Sequence, residues 1–162
     1  MILKSDLFRP AGSLFSLFMC GAFLLTAAQG ADGGNSKSEG LEGTWFTQVT
    51  VRDCQTNAML RVFPALNTFH RGETTTDTTT GFSPSQRSPG LGKWEKTGPH
   101  TFGATSLAFL FTPAGVPMGT QQLTHVIEMQ GDGISFTSSV AIFDTAGNVL
   151  STGCATAVGR RI

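Results

Sequence analysis

The sequence LEGTWFTQVTVR, residues 41–52, has the pattern of a first strand around which the rest of the chain is organised. Trp45, Val49 and Val51 share one parity of this segment. The other parity carries polar side chains: Gln48, Thr50 and Arg52. Such alternation is typical of a β-strand with one buried and one solvent-exposed face. Because a Gly-x-Trp stands at its start, we expect the indole to close one end of a sheet that curls around it.

The N-terminal residues 1–30 have the pattern of a cleaved secretory signal peptide. A basic start with Lys4 and Arg9 precedes an apolar run, and Ala28 and Gly30 have the spacing that a signal peptidase recognises. The run is short for a membrane span. We therefore predict a secreted or periplasmic protein without a membrane span in the mature chain, with a retained membrane helix as the alternative.

The rest of the chain is long enough for one domain. Residues 31–40 are rich in Gly, Ser and Asn and predict a flexible linker, so residues 41–162 form a single domain. The full chain has 11 Lys and Arg and 11 Asp and Glu, without a basic cluster. A nucleic-acid partner is therefore not expected, since binding to phosphates needs a positive stripe.

The segments after residue 41 favour strands over helices, because they are rich in Thr and interrupted by turn residues at short intervals. We predict eight strands, over residues 41–52, 60–70, 73–80, 93–97, 101–112, 121–130, 134–144 and 149–158. The third is polar on both faces, which predicts a position at the rim or a bulge outward. The fifth ends in residues 107–111, which are apolar at both parities and predict cover on both faces.

Eight strands joined by short turns predict an antiparallel up-and-down meander that closes into a barrel, since closure removes the two free edges. A disulfide between Cys54 and Cys154 is expected in an oxidising compartment. A single antiparallel register nearly satisfies both this disulfide and the placement of Trp45 under Arg160 or Arg161, and the two pairings differ in register by only a few residues. A Greek-key β-sandwich is the alternative fold.

These residues resemble the lipocalin and wider calycin barrels. The resemblance rests on the Gly43-Thr44-Trp45 start, the eight-strand meander and the closing Arg160 or Arg161. It implies that the Trp packs across the closed end of the barrel with the Arg lying over it. The longer pattern, which includes residues 68–72, 84–90 and 152–155, is similar to small secreted bacterial proteins of the same shape.

An eight-stranded barrel is just wide enough to be filled by side chains or to hold one small ligand. The candidate ligand-binding residues are Phe69, Phe109, Phe111, His125, Ile127, Met129, Phe136 and Arg87. His125 shares the apolar face of its strand, so it is either a polar group in a cavity or a core histidine bonded to a hydroxyl or a carbonyl. Arg87 either binds an anionic group at the barrel mouth or anchors its loop.

Catalytic signatures are absent from the sequence. It has no nucleophile elbow, phosphate-binding loop or dinucleotide fingerprint. His70, His100 and His125 stand apart without a partner two or four residues away; strands can assemble ligands from distant positions, but nothing in the sequence demands a metal. We therefore expect no cofactor, no metal and no catalytic residue. A membrane-spanning barrel is not expected either, since Tyr is missing from the chain and the third strand is polar throughout.

Three functions fit this sequence. The first is a secreted, non-enzymatic barrel that binds a small apolar or amphipathic ligand. The second is a cyclase- or isomerase-like enzyme resembling the allene oxide cyclase barrels, which a deep pocket with one buried Glu or Arg would favour and an outward-facing Glu128 would disfavour. The third is a protein-interaction module with a solid core that uses the loops at one end. The sequence does not define the oligomeric state.

Overall fold

A computed structural model describes residues 40–162, so the predicted signal peptide and residues 31–39 of the predicted linker lie outside the described residues. The described chain forms eight β-strands: β1 (Gly43–Arg52), β2 (Met59–Phe69), β3 (Thr74–Thr79), β4 (Gly90–Lys96), β5 (Thr101–Phe111), β6 (Pro117–Gln130), β7 (Gly133–Phe143) and β8 (Val149–Arg161). This part of the chain contains no helix. Accordingly, none of its elements is a helix long and apolar enough to cross a membrane.

The sheet is a closed antiparallel barrel. Each strand pairs with the next along the chain, and β1 also pairs with β8, which leaves no free edge. The register of this closing pair sets Trp45 opposite Arg161 and Arg52 opposite Cys154. The prediction of an eight-stranded up-and-down barrel is confirmed, and the Greek-key alternative is wrong.

The predicted disulfide also forms. Cys54 lies just after β1, and its Cα is 5.3 Å from that of Cys154 in β8. The ladder between β1 and β8 ends at the pair of Arg52 and Cys154, so the bond ties the turn after β1 to the neighbouring strand. The disulfide therefore reinforces the barrel where its first and last strands meet.

One end of the barrel is filled by a hydrophobic core. Trp45 is fully buried there, and its indole Nε1 donates a hydrogen bond to the Leu41 carbonyl over 2.9 Å. The guanidinium of Arg161 lies 4.2 Å from the centroid of the Trp45 ring. Large side chains from other strands complete this core: Phe69, Trp94, Phe102, Ile127, Met129, Ile134 and Phe136. Of the two arginines expected at this position, Arg161 is the one that covers the indole, while Arg160 is exposed.

Two expectations about individual strands are wrong. β3 lies neither at a rim nor on an outward bulge, because it pairs regularly with β2 and β4, and Thr75 and Asp77 point inward and are buried. The apolar segment of β5 is not covered on both faces, since Leu107 is 44% exposed and Phe109 is 61% exposed. A barrel wall is a single sheet, so the outward side chains of the strand have no second layer over them.

Candidate functional site

The half of the barrel opposite Trp45 contains a cavity of about 280 Å³. It lies between the later part of β1, the early part of β2 and the facing parts of β6, β7 and β8. Exposed residues such as Arg61, Phe82 and Ser151 also line it, so the cavity reaches the surface at this end. The barrel is therefore packed at one end and hollow at the other.

The apolar wall of the cavity comes mainly from β1, β7 and β8. Alternation along these strands turns every second side chain inward, which is why their small and branched residues line the space. The wall consists of Val49, Val51, Val140, Ile142, Ala155 and Ala157. Leu123 of β6 and Phe63 of β2 extend it. This wall is suited to contact with an aliphatic or aromatic group.

A buried ion pair between Asp77 and Arg87 lies on the opposite side. Arg87 comes from the loop before β4, and its Nη2 donates to Asp77 Oδ1 over 2.6 Å. The Nε of Arg87 donates to Gln121 Oε1 over 2.6 Å, and its Nη1 donates to the Ser88 carbonyl over 3.2 Å. The hydroxyl of Ser106 donates to the other Asp77 oxygen over 2.7 Å. Both charges are thus compensated and hydrogen-bonded inside the protein, as buried charges require.

Gly90 makes room for this ion pair. It faces Asp77 across the ladder between β3 and β4. A Cβ at Gly90 would lie 1.9 Å from Asp77 Oδ2, so any larger residue would displace the carboxylate. The absence of a side chain at this position therefore allows Asp77 to reach Arg87 and Ser106.

Asp77, Arg87 and their hydrogen-bond partners form a polar wall of the cavity. Neutral polar side chains continue this polar wall toward the core. Asn67 of β2 donates from Nδ2 to Thr47 Oγ1 over 2.9 Å, and the Thr47 hydroxyl donates to the Ala65 carbonyl over 3.3 Å. Asn67 and Thr47 are both buried and both line the cavity. The deep part of the cavity therefore offers hydrogen-bonding groups without adding charge.

His125 completes the polar wall from β6. Its Nδ1 shares a 2.7 Å hydrogen bond with the hydroxyl of Ser138, its cross-strand neighbour on β7. The imidazole packs edge-on against Phe136, with 5.4 Å between the ring centroids. Burial lowers the pKa of His125 from 6.5 to about 4, although the negative charge of Asp77 acts in the opposite direction. His125 is therefore a neutral imidazole at physiological pH.

The mouth of the cavity combines a cation, aromatic rings and the disulfide. The Arg61 guanidinium lies 5.0 Å from the centroid of the Phe63 ring and donates a hydrogen bond to the Gly81 carbonyl. Phe82 follows at the rim with 36% of its surface exposed, and Cys154 of the disulfide also lines the space. These contacts hold the loop after β3 against the start of β2.

The structure separates the eight candidate residues into two groups. Arg87, His125 and Phe136 line the cavity. The other five do not line it: Phe69, Ile127 and Met129 pack in the core, Phe109 is exposed on the outer surface, and Phe111 is half-buried at the end of β5. His125 is hydrogen-bonded to the Ser138 hydroxyl and also lines the cavity. Arg87 anchors its loop through Asp77, Gln121 and the Ser88 carbonyl, instead of lying at the mouth.

Sequence reasoning missed Asp77, Gln121 and Asn67. Asp77 lies in a run of threonines and has no apolar neighbour to mark its inward direction. The signal that could have found it is the combination of a lone carboxylate in β3 with a glycine opposite it and an arginine in the following loop. Among the described residues, no group of three or more His, Cys, Asp or Glu side chains could hold a metal ion.

The fold and the cavity define the chain as a closed eight-stranded antiparallel β-barrel with a hollow half. No protein-family model matches the sequence, and a search of the curated proteins finds no match to it. Functional conclusions therefore rest on the cavity itself.

Proposed function

We propose that the protein is a secreted, non-enzymatic, lipocalin-like barrel that binds a small apolar or amphipathic ligand in the cavity beside Asp77, Arg87 and His125. The observation that carries this proposal is the two-sided cavity. An apolar wall with a few convergent polar groups is the usual composition of a small-molecule site. The volume of about 280 Å³ is close to the lower end of the roughly 300–1,000 Å³ found for such sites, which favours a small ligand.

Secretion is part of the same proposal. The N-terminal segment has the features of a cleaved leader, and the disulfide between Cys54 and Cys154 is of the kind that persists in oxidising compartments. Mass spectrometry of the protein recovered from its secreting host gives the mass of the mature chain. A mass that retains residues 1–30 would contradict cleavage.

The binding test uses the neutral dye N-phenylnaphthylamine, whose fluorescence rises in an apolar site. Val140→Trp places a large ring in the cavity, whereas Val126→Trp places the same ring on the outer face of β6, where Val126 is 58% exposed. We expect the dye to bind the wild type and Val126→Trp equally and to lose at least about tenfold in affinity for Val140→Trp. Equal binding by all these proteins would place the dye outside the cavity and contradict the proposal.

A cyclase- or isomerase-like enzyme is the second candidate, and a specific observation favours it. The cavity contains the buried Arg87, and the neutral His125 beside Ser138 could accept a proton from a bound substrate. Against this candidate, Glu128 is exposed on the outer face of β6. The test is a His125→Gln variant. If it binds the ligand and converts it at the same rate as the wild type, proton transfer at this residue is excluded.

The third hypothesis, an interaction module with a solid core, has less support. The barrel is packed solidly only at the Trp45 end, and the end that carries the cavity is hollow. The loops at the cavity end therefore do not rest on a solid core, as this hypothesis requires. We accordingly place the binding function in the cavity and not on those loops.

A further inference from the structure

We propose that the ligand of this cavity is an amphiphile whose polar group carries no charge, such as an alcohol, a ketone or an ester, and that the polar group lies against His125 and the wall formed by Asp77 and Arg87. This inference rests on the proposed binding function and specifies the class of ligand. It follows from the charge balance of the polar wall, from the hydrogen-bonding capacity of His125 and from the apolar wall opposite.

The charge of Arg87 is already neutralised. All three of its guanidinium nitrogens donate hydrogen bonds within the protein, and one of them forms the 2.6 Å contact with Asp77. A carboxylate entering the cavity would have to leave water without gaining an uncompensated cation, and it would approach the Asp77 carboxylate as well. Transfer of an ion out of water is unfavourable unless a partner of opposite charge compensates for the lost hydration.

A cationic group is disfavoured for the complementary reason. Asp77 accepts from Arg87 on one oxygen and from Ser106 on the other, so neither oxygen lacks a partner. An ammonium group placed beside Asp77 would also lie close to the Arg87 guanidinium. The polar wall thus disfavours ions of both signs.

An uncharged polar group finds a suitable partner in His125. The Nδ1 of this residue is occupied by Ser138, and its other ring nitrogen, Nε2, has no hydrogen-bond partner among residues 40–162. The imidazole lines the cavity, so Nε2 is available to a hydroxyl or a carbonyl of a ligand. A neutral imidazole can donate from one nitrogen and accept at the other, which suits either group.

Among the described residues that line the cavity, Arg61 is the only other cation, and it lies at the mouth. It is exposed to solvent, donates to the Gly81 carbonyl and stacks on Phe63. Water screens a charge in this position, so its attraction for an anion is small. Arg61 therefore does not reverse the preference set by the interior.

The test compares decanol, the methyl ketone of equal chain length, decanoate and decylamine as competitors of N-phenylnaphthylamine at neutral pH. We expect decanol and the ketone to bind at least about tenfold more tightly than decanoate and decylamine, because only the ions must be desolvated without a counter-charge.

Decanoate or decylamine binding as tightly as decanol would overturn the inference and leave the binding function intact. Failure of all four to displace a bound dye would overturn it too. Failure of the dye itself to bind the cavity would instead reject the proposed function.

Three variants locate the cause of the selectivity. Asp77→Asn leaves the Arg87 charge without its counter-ion, so we expect decanoate affinity to rise about tenfold, whereas the double variant Asp77→Asn with Arg87→Gln restores a neutral wall and the preference for decanol. His125→Leu removes the Nε2 partner and should weaken decanol about tenfold without affecting the dye. If Asp77→Asn does not fold, the wild-type, double-variant and His125→Leu comparisons still decide the inference. Unchanged selectivity in all the folded variants would overturn it.

Discussion

The guanidinium of Arg161 lies over the ring of Trp45, 4.2 Å from its centroid, and joins the end of the last strand to the start of the first. Arg161 also donates hydrogen bonds to the carbonyls of Glu42 and Gly40, the latter over 2.7 Å. The same side chain thus covers the indole and holds the segment that enters the barrel. Because the two strands are far apart in sequence, this contact depends on closure of the ring.

Arg161→Ala should lower the free energy of unfolding by about 2 kcal/mol. A cation–π contact is worth roughly 0.5–2 kcal/mol, and the lost hydrogen bonds to carbonyls add to it. Arg160→Ala is the matched control, because Arg160 is the neighbouring arginine and is exposed. We expect its effect to stay within about 0.5 kcal/mol. Urea unfolding of both variants measures the difference, and equal effects would show that Arg161 does not stabilise the closed end.

Replacing Cys54 and Cys154 together by Ser should destabilise the protein by about 4 kcal/mol. The bond links residues 100 positions apart in the sequence. A disulfide that closes a loop of about this length stabilises a protein by roughly 4–5 kcal/mol, because it restricts the unfolded chain. Each single Ser variant should match the double variant, since either substitution removes the bond. Denaturant midpoints measure this. A double variant as stable as the wild type would mean that the barrel closes without help from the disulfide.

Asp77→Asn and Arg87→Gln should each cost about 3–5 kcal/mol, because each leaves a buried charge without its partner. The double variant should cost clearly less than the sum of the two single variants, since it removes both charges. A double-mutant cycle in urea measures this coupling. Glu95→Gln, which neutralises an exposed carboxylate on β4, is the control and should change little. Additive effects at Asp77 and Arg87 would contradict a coupled ion pair.

His125 should make the protein less stable in acid. In the unfolded chain it takes up a proton near pH 6.5, whereas in the barrel burial lowers its pKa to about 4. The unfolded state therefore binds more protons between these values. The contribution of His125 to the free energy of unfolding is therefore highest above pH 6.5. It falls by about 3 kcal/mol as the pH is lowered toward 4, at roughly 1.4 kcal/mol per pKa unit.

The measurement for His125 is the free energy of unfolding of the wild type and of His125→Gln at several pH values between neutral and acid. The wild type should lose more stability than His125→Gln on acidification, since both proteins share every other titrating group. His100→Gln, which changes an exposed histidine, should follow the wild type. Parallel curves for the wild type and His125→Gln would show that His125 is not desolvated.

The strands and their closure could be predicted because they depend on patterns that the sequence displays directly. Alternation on β6 and β7 placed Leu123, His125 and Ile142 on the inward face, and the cysteine pair defined which strands meet. Pairing also extended several strands beyond their predicted bounds. β8 continues to Arg161, for example, because β1 and β7 supply ladder partners for its last residues.

The polar wall could not be predicted in the same way. The inward direction of Asp77 depends on the register that sets it opposite Asn67 and Gly90, and a strand that is polar on both faces gives no sign of that register. Phe109 shows the converse limit. Its hydrophobicity suggested a cavity residue, but its parity on β5 places it on the outer surface, where it is 61% exposed.

Methyl NMR with decanol as the probe shows whether the hollow half of the barrel holds the proposed ligand. Cavity methyls of Val49, Leu123 and Val140 should shift on titration with decanol, while the outward methyls of Leu107 and Val158 should not. Shifts confined to the cavity methyls are the predicted result. Shifts confined to the outer face, or no saturable shifts at any of these methyls, would show that decanol does not bind in the hollow half.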